Sequence, residues 1–476
     1  MAQLADVVTE PLSEEALLSA QFGRLAIQFA NDPSPSLEKR QQRLVALKQA
    51  LLTEQNALVE ALSRDFGYRS RFDSLLCDIV PAVSHLDYTL KSLKRWMKPQ
   101  RRKAGLILAP SRVCVRYQPL GVVGIIVPWN FPVVLSLAPL VTAVAAGNQV
   151  MIKLSEHTPQ ANLVLRRIVA SLGDIAQCVE GEAEIAAAFS ALPFQHLLFT
   201  GSTAVGRKVA IAAAHNLTPV TLELGGKSPV IIAPDADLPR AVDNIMLGKA
   251  TNSGQICVAP DYVMLPEAQV APFTELYLRR FAKRFVSKQG KLDCTHIINQ
   301  AQHQRLQALL DDARQQGAEV SSLTGTLDLA ERQMAPQLVS KVTDQMRVMQ
   351  EEIFGPILPL VGYRTIEEAI ERVNAQARPL ALYVMSDDQD IIDYVLKRTH
   401  SGGVAINDTL LHVAADDAPF GGLGESGMGH YHGLEGFQTF SHAKTVLHSF
   451  SKLPRSRWLL NHRKLWLKLL GRFVLR

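Results

Sequence analysis

Residues 122–153 read VVGIIVPWNFPVVLSLAPLVTAVAAGNQVMIK. The first six form a short apolar run rich in β-branched side chains, as a strand buried on both faces requires. Residues 139–146 are rich in Ala, Val and Leu and stop at Gly147-Asn148, the pattern of a helix closed by glycine. Residues 149–153 then read as a second strand. Strand, helix and strand in about 30 residues make the repeating unit of a parallel sheet.

The alternation continues outward. Residues 161–172 suit a helix closed by Gly173, 196–200 a strand, 207–215 a helix and 220–224 a strand. A second alternating region follows. It holds a strand at 230–233, a helix capped by Asp237 and running to about Ala250, and strands at 381–385 and 404–407. Upstream, residues 13–100 read as helical. Leu44, Leu47, Leu51 and Leu58 share one face, after a turn at Asp32-Pro33-Ser34-Pro35. The class expected is α/β, with parallel sheets covered by helices on both faces in a dinucleotide-binding layout. No repeat or low-complexity linker interrupts the chain, so its domains are expected to pack tightly.

At 476 residues the chain has room for two or three domains. Hydrophobic residues at 47 % and charged residues at 20 % suit a protein with a large core. A net charge of +5 gives no case for nucleic-acid binding by the body of the protein. The five cysteines are far apart, with no Cys-x-x-Cys pair, so neither a disulfide framework nor a metal site is expected. Asp6, Glu10, Glu14 and Glu15 precede the first basic residue, Arg24, unlike a secretory signal. No uncharged run approaches the ~20 apolar residues of a membrane span. A reducing, cytoplasmic setting is the expectation.

Several stretches carry chemistry-bearing residues. Gly201-Ser202-Thr203-Ala204-Val205-Gly206 follows a strand and opens a helix, where phosphate binds well. It lacks the middle glycine of Gly-x-Gly-x-x-Gly and the Lys-Ser/Thr of a P-loop, so a plain tight turn is an equal reading. Pro128-Trp129-Asn130-Phe131-Pro132 stands at the C-terminal end of a strand, where open parallel sheets bind ligands. The Asn130 amide is there either an oxyanion donor or a structural turn residue.

Glu223, in Glu223-Leu224-Gly225-Gly226-Lys227-Ser228-Pro229, is a carboxylate within an apolar strand. It is either a general base raised in pKa by burial or half of an ion pair, with Lys227 a nearby partner. Cys257 ends Asn252-Ser253-Gly254-Gln255-Ile256-Cys257. A lone cysteine is commonly a small core residue; small polar neighbours and Gly254 leave this one open to a ligand. Glu351-Glu352-Ile353-Phe354-Gly355-Pro356 sets two carboxylates beside an aromatic, and Pro419-Phe420-Gly421-Gly422-Leu423-Gly424 is a glycine-rich loop.

Together these stretches resemble the aldehyde dehydrogenase superfamily, in the family's order, from about residue 40 to 445. Ser-Gly-Gln-Ile-Cys-Val-Ala-Pro-Asp (253–261), Gly-Met-Gly-His-Tyr-His-Gly (427–433) and Thr-Phe-Ser-His (439–442) resemble its class 3 branch. Within that branch the chain is most similar to bacterial coniferyl aldehyde dehydrogenases. The resemblance implies a Rossmann-type NAD(P)-binding domain from residues 1–103 and 121–223 and an α/β catalytic domain from 224–428. A hairpin at 104–120 and the segment 429–476 would form a small oligomerisation element, giving a homodimer.

It also implies roles. Cys257 would attack an aldehyde, with Asn130 and the Cys257 N–H holding the oxyanion. Lys153 and Glu156 would contact the adenosine ribose, and Ser202, in the Gly201–Gly206 turn, the pyrophosphate. Glu352 and Phe354 would place the nicotinamide ribose and ring, and Trp129 would also bind the cofactor. Glu223 would activate the deacylating water, a task Glu352 could share. Leu154 departs from the proline common between the family's cofactor lysine and Ser-Glu. NAD is the expected cofactor, because the Glu156 charge opposes a 2′-phosphate, with NADP an open alternative. The implied substrate is an aromatic or hydrophobic aldehyde. Two rivals are a coenzyme A-acylating relative, against which Glu223 argues, and a non-catalytic scaffold, against which the retained Asn130, Glu223, Cys257 and Glu352 argue.

Residues 452–476 stand apart. They hold eight Lys or Arg, no Asp or Glu, and Trp458 and Trp466 among leucines. This composition suits peripheral contact with an anionic membrane surface, a dimer arm, or a disordered basic end.

Overall fold

A computed structural model describes residues 14–325, 327–449, 455–473 and 475. The acidic residues Asp6 and Glu10, and Lys452 and Arg476 of the basic tail, lie outside the described residues.

The opening stretch folds as a strand, Val122–Ile126, a helix, Pro132–Ala146, and a parallel strand, Gln149–Lys153. Both strands are buried throughout, as expected of a sheet covered on both faces. The helix starts earlier than its Ala-rich part suggests, because Pro132 occupies its first turn, where no backbone N–H is needed. Gly147 closes it in the left-handed conformation, at φ 98°.

These strands belong to a six-stranded sheet. Its order is Gly427–Met428, Val220–Leu224, His196–Gly201, Val122–Ile126, Gln149–Lys153, Ala176–Val179. All are parallel except Gly427–Met428. The strand order reverses between Val122–Ile126 and His196–Gly201, which is where doubly wound sheets bind ligands. A seven-stranded sheet follows, with Pro229–Ile232 between Tyr262–Pro266 and Ala381–Met385. A third, antiparallel sheet joins Gln100–Arg102, Arg112–Pro119 and Ser441–His448.

Helices Glu14–Asn31, Leu37–Phe66 and Val80–Trp96 fill the N-terminal region. Leu44, Leu47, Leu51 and Leu58 are fully buried against the Pro132–Ala146 helix and the first sheet. The helix after the Gly201 turn runs Thr203–Ala214, four residues earlier than its apolar pattern suggests, because the Ser202 side chain accepts from Val205 N–H and caps it. The strand expected at 404–407 is Gly403–Ile406, since Asn407 turns to φ 54°. Among the described residues, no helix is long and apolar enough to cross a membrane.

Candidate active site

The site begins at the C-terminal end of Val122–Ile126. Asp78 is buried there and accepts the N–H of Val134 at 2.7 Å, capping the helix that follows Asn130. Arg69 lies 3.4 Å from Asp78 and 4.9 Å from the rings of both Phe66 and Phe131. Asn130 is thereby held in place and buried. Its amide donates to the carbonyl of Gln255 at 3.2 Å, two residues before Cys257.

The cysteine loop is clamped from several directions. Asn252, Ser253 and Gly254 take left-handed φ values of 48°, 52° and 75°. A side chain at Gly254 would meet the Gly355 carbonyl at 2.5 Å, so this loop lies directly on the one carrying Glu352 and Phe354. Asp73 accepts Asn252 N–H at 3.0 Å and the Thr295 hydroxyl at 2.6 Å. Ser253 donates to the Thr295 carbonyl, and the Gln255 amide bridges the carbonyls of Asn252 and His296. Left-handed non-glycine residues cost of order 1–3 kcal/mol each unless their surroundings fix them; this network does so.

The loop delivers Cys257, partly exposed, to a cavity wall. Burial, then the carboxylates of Glu352 and Glu223, push its thiol up to about 12, while the N–H groups of Cys257 and Val258 oppose the rise. Both glutamates thus bear electrostatically on the thiol and favour its neutral form.

Those glutamates sit differently. Glu223 is buried with neither oxygen hydrogen-bonded, and burial alone raises its carboxyl well above the ordinary range. The ion-pair reading with Lys227 does not hold. Lys227 pairs with Asp261 and donates to the carbonyls of Val348 and Glu351 at 2.8 and 2.9 Å. Burial, then Asp261, raise Glu352 to about 8, against the Gly226 N–H, Lys227 and Arg305. Its carboxylate occupies the space where a side chain at Gly225 would stand, so Glu352 packs on the glycine pair that follows Glu223. Lys249 lies buried beside this group without a hydrogen-bond partner, and burial lowers it to about 8.

The residues assigned to a cofactor fall into two groups. Trp129 and Phe354 meet edge to face, with ring centroids 5.4 Å apart. Of the assigned residues, Glu352 lines an open cleft of about 950 Å³, together with Thr203, Gly225, Gly226 and Lys227. Farther out, Lys153 is buried and donates to Glu156 at 2.8 Å. Burial is the largest single influence on Glu156 and would raise it, but the Lys153 bond, a backbone N–H and the nearby charges of Lys153 and His157 together outweigh burial and lower the carboxyl. Leu154 explains its own departure: its N–H donates to the Val179 carbonyl at 2.9 Å, a bond proline cannot make. Gly201 and Gly206 have a packing reason to be glycine, since added side chains would meet Phe199 at 2.5 Å and Leu224 at 2.6 Å.

These residues fit a dinucleotide. Glu352 keeps one buried oxygen unpaired beside the cleft that Gly225 and Gly226 also line. The Ser202 helix N-terminus stands at the C-terminal end of the strand next to the switch point.

A separate apolar cavity of about 300 Å³ reaches Cys257. Phe131, Val134, Leu135, Phe420, Tyr431 and His432 are among its walls. The sequence reading missed this wall. Its only signal was the His-Tyr-His run at 430–432, which carried the resemblance but no role.

The chain matches the model of the aldehyde dehydrogenase family over residues 26–446. It is 49 % identical to a probable coniferyl aldehyde dehydrogenase of Pseudomonas aeruginosa, over 95 % of this chain and 94 % of that one. It is 45 % identical to a coniferyl aldehyde dehydrogenase of a Pseudomonas species, over 92 % of both. Among solved structures, the substrate-bound state of Staphylococcus aureus AldH superposes with TM-score 0.87 at 34 % identity, covering 94 % of this chain and 99 % of that one.

Proposed function

The chain belongs to the aldehyde dehydrogenase family, enzymes that oxidise aldehydes with NAD or NADP, and from that premise we propose which residues do the chemistry and on what class of aldehyde. The carrying observation is the placement of Cys257. It stands on an apolar cavity and under the field of two buried carboxyls.

Cys257 gives up its proton to a neighbouring carboxylate and its sulfur adds to the aldehyde carbon. The second N–H of the Asn130 amide and the Cys257 backbone N–H hold the resulting oxyanion. Lys153, Glu156, Ser202, Trp129, Glu352 and Phe354 would hold NAD(P)+, which would supply the hydride acceptor when bound. The thioester on Cys257 is cleared by water that Glu223 deprotonates. Burial makes Glu223 the stronger base, and it has no hydrogen bond to give up. The ionised Glu156 favours NAD.

The substrate class is a hydrophobic, aromatic aldehyde. The aromatic lining supports this, as do the names of the relatives. A kinetic panel of aliphatic and aromatic aldehydes tests it, and turnover unaffected by coenzyme A is expected. Cys257→Ala should cut NADH formation by about 10⁴-fold or more while cofactor binding persists. Full activity in that variant would end the assignment.

Two further assignments concern the C-terminal end. Ser441–His448 is a largely exposed outer strand of the antiparallel sheet and offers its edge to a second copy. Sedimentation should show a dimer. Helices Arg455–Asn461 and Arg463–Phe473 expose Trp458, Leu460 and Leu467 among basic residues, which suits an anionic membrane surface. Truncation after Ser451 should abolish binding to anionic vesicles; unchanged binding refutes it.

A further inference from the structure

The cavity that reaches Cys257 is not apolar throughout. Ser84, His85, Asp416 and His432 also line it. Rings order its interior. Tyr431 is close enough to Glu223 and Cys257 for both to raise its hydroxyl, the Tyr431 and His432 centroids are 4.4 Å apart, and His432 lies 5.6 Å from His85. Next along, the His85 Nδ1 lies 3.4 Å from Asp416, and Ser84 donates to Asp416 at 2.6 Å. The wall thus runs from the reactive thiol through two aromatic rings to a polar cluster.

Most of that cluster has partners. His85 Nε2 meets the Thr142 hydroxyl at 2.9 Å, and Tyr88 donates to Asp417 next door, so the cluster also ties the Val80–Trp96 helix to the 411–418 loop. His432 is the exception. It is more than nine-tenths buried, stacks on Phe420 with centroids 5.4 Å apart, and its Nδ1 has no hydrogen-bond partner. A buried, unpaired imidazole nitrogen is unfavourable unless something arrives to satisfy it.

We propose that this polar end recognises a hydroxyl on the aromatic ring of the aldehyde, with His432 Nδ1 as its main partner and the Asp416 carboxylate, set by Ser84 and His85, as a second acceptor. The inference rests on the aromatic-aldehyde reading and names the ring substituent that reading leaves open. A site built to hydrogen-bond a hydroxyl discriminates strongly against the analogue lacking it, because its own polar groups are then left unpaired. The apolar length between thiol and cluster takes the ring; the cluster takes its phenolic end.

The test compares 4-hydroxycinnamaldehyde with cinnamaldehyde in the intact enzyme with NAD. The NADH burst with hexanal counts competent sites in each variant. The parent enzyme should favour the hydroxylated aldehyde in kcat/KM by about tenfold or more, mainly through KM. His432→Leu should bring the ratio near unity. Asp416→Asn, which keeps the shape of the cluster, should lower it partway. Equal kcat/KM for the two aldehydes in the parent enzyme, or a preference that survives both variants, would overturn the proposal. Oxidation of hexanal but of neither aromatic would overturn the aromatic reading as well, and no oxidation of any aldehyde would overturn the proposed function itself.

Discussion

Glu223 and Glu352 face the same thiol from structures of opposite kind. Glu223 is the fourth residue of the strand Val220–Leu224, fixed by ladders on both sides and bonded to nothing at its carboxyl. Glu352 rides on an irregular loop, next to a left-handed Phe354 at φ 51°, with the Gly226 N–H, Lys227 and Arg305 tempering its charge. The difference separates basicity from mobility. A strand holds an unsolvated carboxyl at one position, whereas a loop can carry a partly neutralised one toward or away from a cofactor.

The sharpest way to break this comparison is substitution. Glu223→Gln should lower steady-state turnover about 10²–10⁴-fold, the range for a lost general base, while a stoichiometric NADH burst remains. Glu352→Gln should cost about tenfold and suppress the burst itself, because placement rather than deacylation is lost. Stopped-flow absorbance separates the two. A lost burst in the first variant and a retained one in the second would exchange the roles.

A smaller effect lies in pH. Glu352 titrates at about 8 and Glu223 also lies above the ordinary carboxyl range, so both must lose a proton to act as bases. Turnover should rise with pH on its acid limb. That limb should survive Glu352→Gln and vanish in Glu223→Gln.

Much of this site was legible in the sequence because it rests on short-range cues. Val122, Gly147 and Ser202 each mark a strand, a cap or a turn through their immediate neighbours, and Asn130, Glu223 and Cys257 each lie at or near the end of such a unit. What was not legible is pairing across distance. Lys227 sits four residues from Glu223 yet goes to Asp261, because the chain turns at Gly225-Gly226 and carries the lysine toward the second sheet. His85, Phe131 and His432 meet only after folding, and no local pattern announces them. The start of the Thr203–Ala214 helix was placed late for a related reason: Ser202 reads as a ligand and serves also as a cap.

Gly254 tests whether the two regions depend on each other. Gly254→Ala forces a side chain to 2.5 Å from the Gly355 carbonyl at φ 75°, so either the cysteine loop or the Glu352 loop must shift. A loss of about 1–3 kcal/mol is expected, with a lower melting temperature and a reduced burst. An unchanged burst would show the loops to be independent. The smallest expected effect is on stability. A carboxyl raised by folding binds protons that the unfolded chain has released. Its contribution is therefore full below its ordinary value of 4.5 and declines as pH rises toward the folded value. Glu223→Gln should flatten that decline in urea titrations.

The short strand Gly427–Met428 pairs with Leu222 and Glu223, and Tyr431 and His432 complete the cavity wall just beyond it. During biosynthesis the nucleophile, the oxyanion donor and both glutamates leave the ribosome before these residues do. A nascent chain shorter than about residue 432 thus carries its reactive groups without the finished chamber around them, and the thiol acquires that setting only once Tyr431 and His432 have emerged.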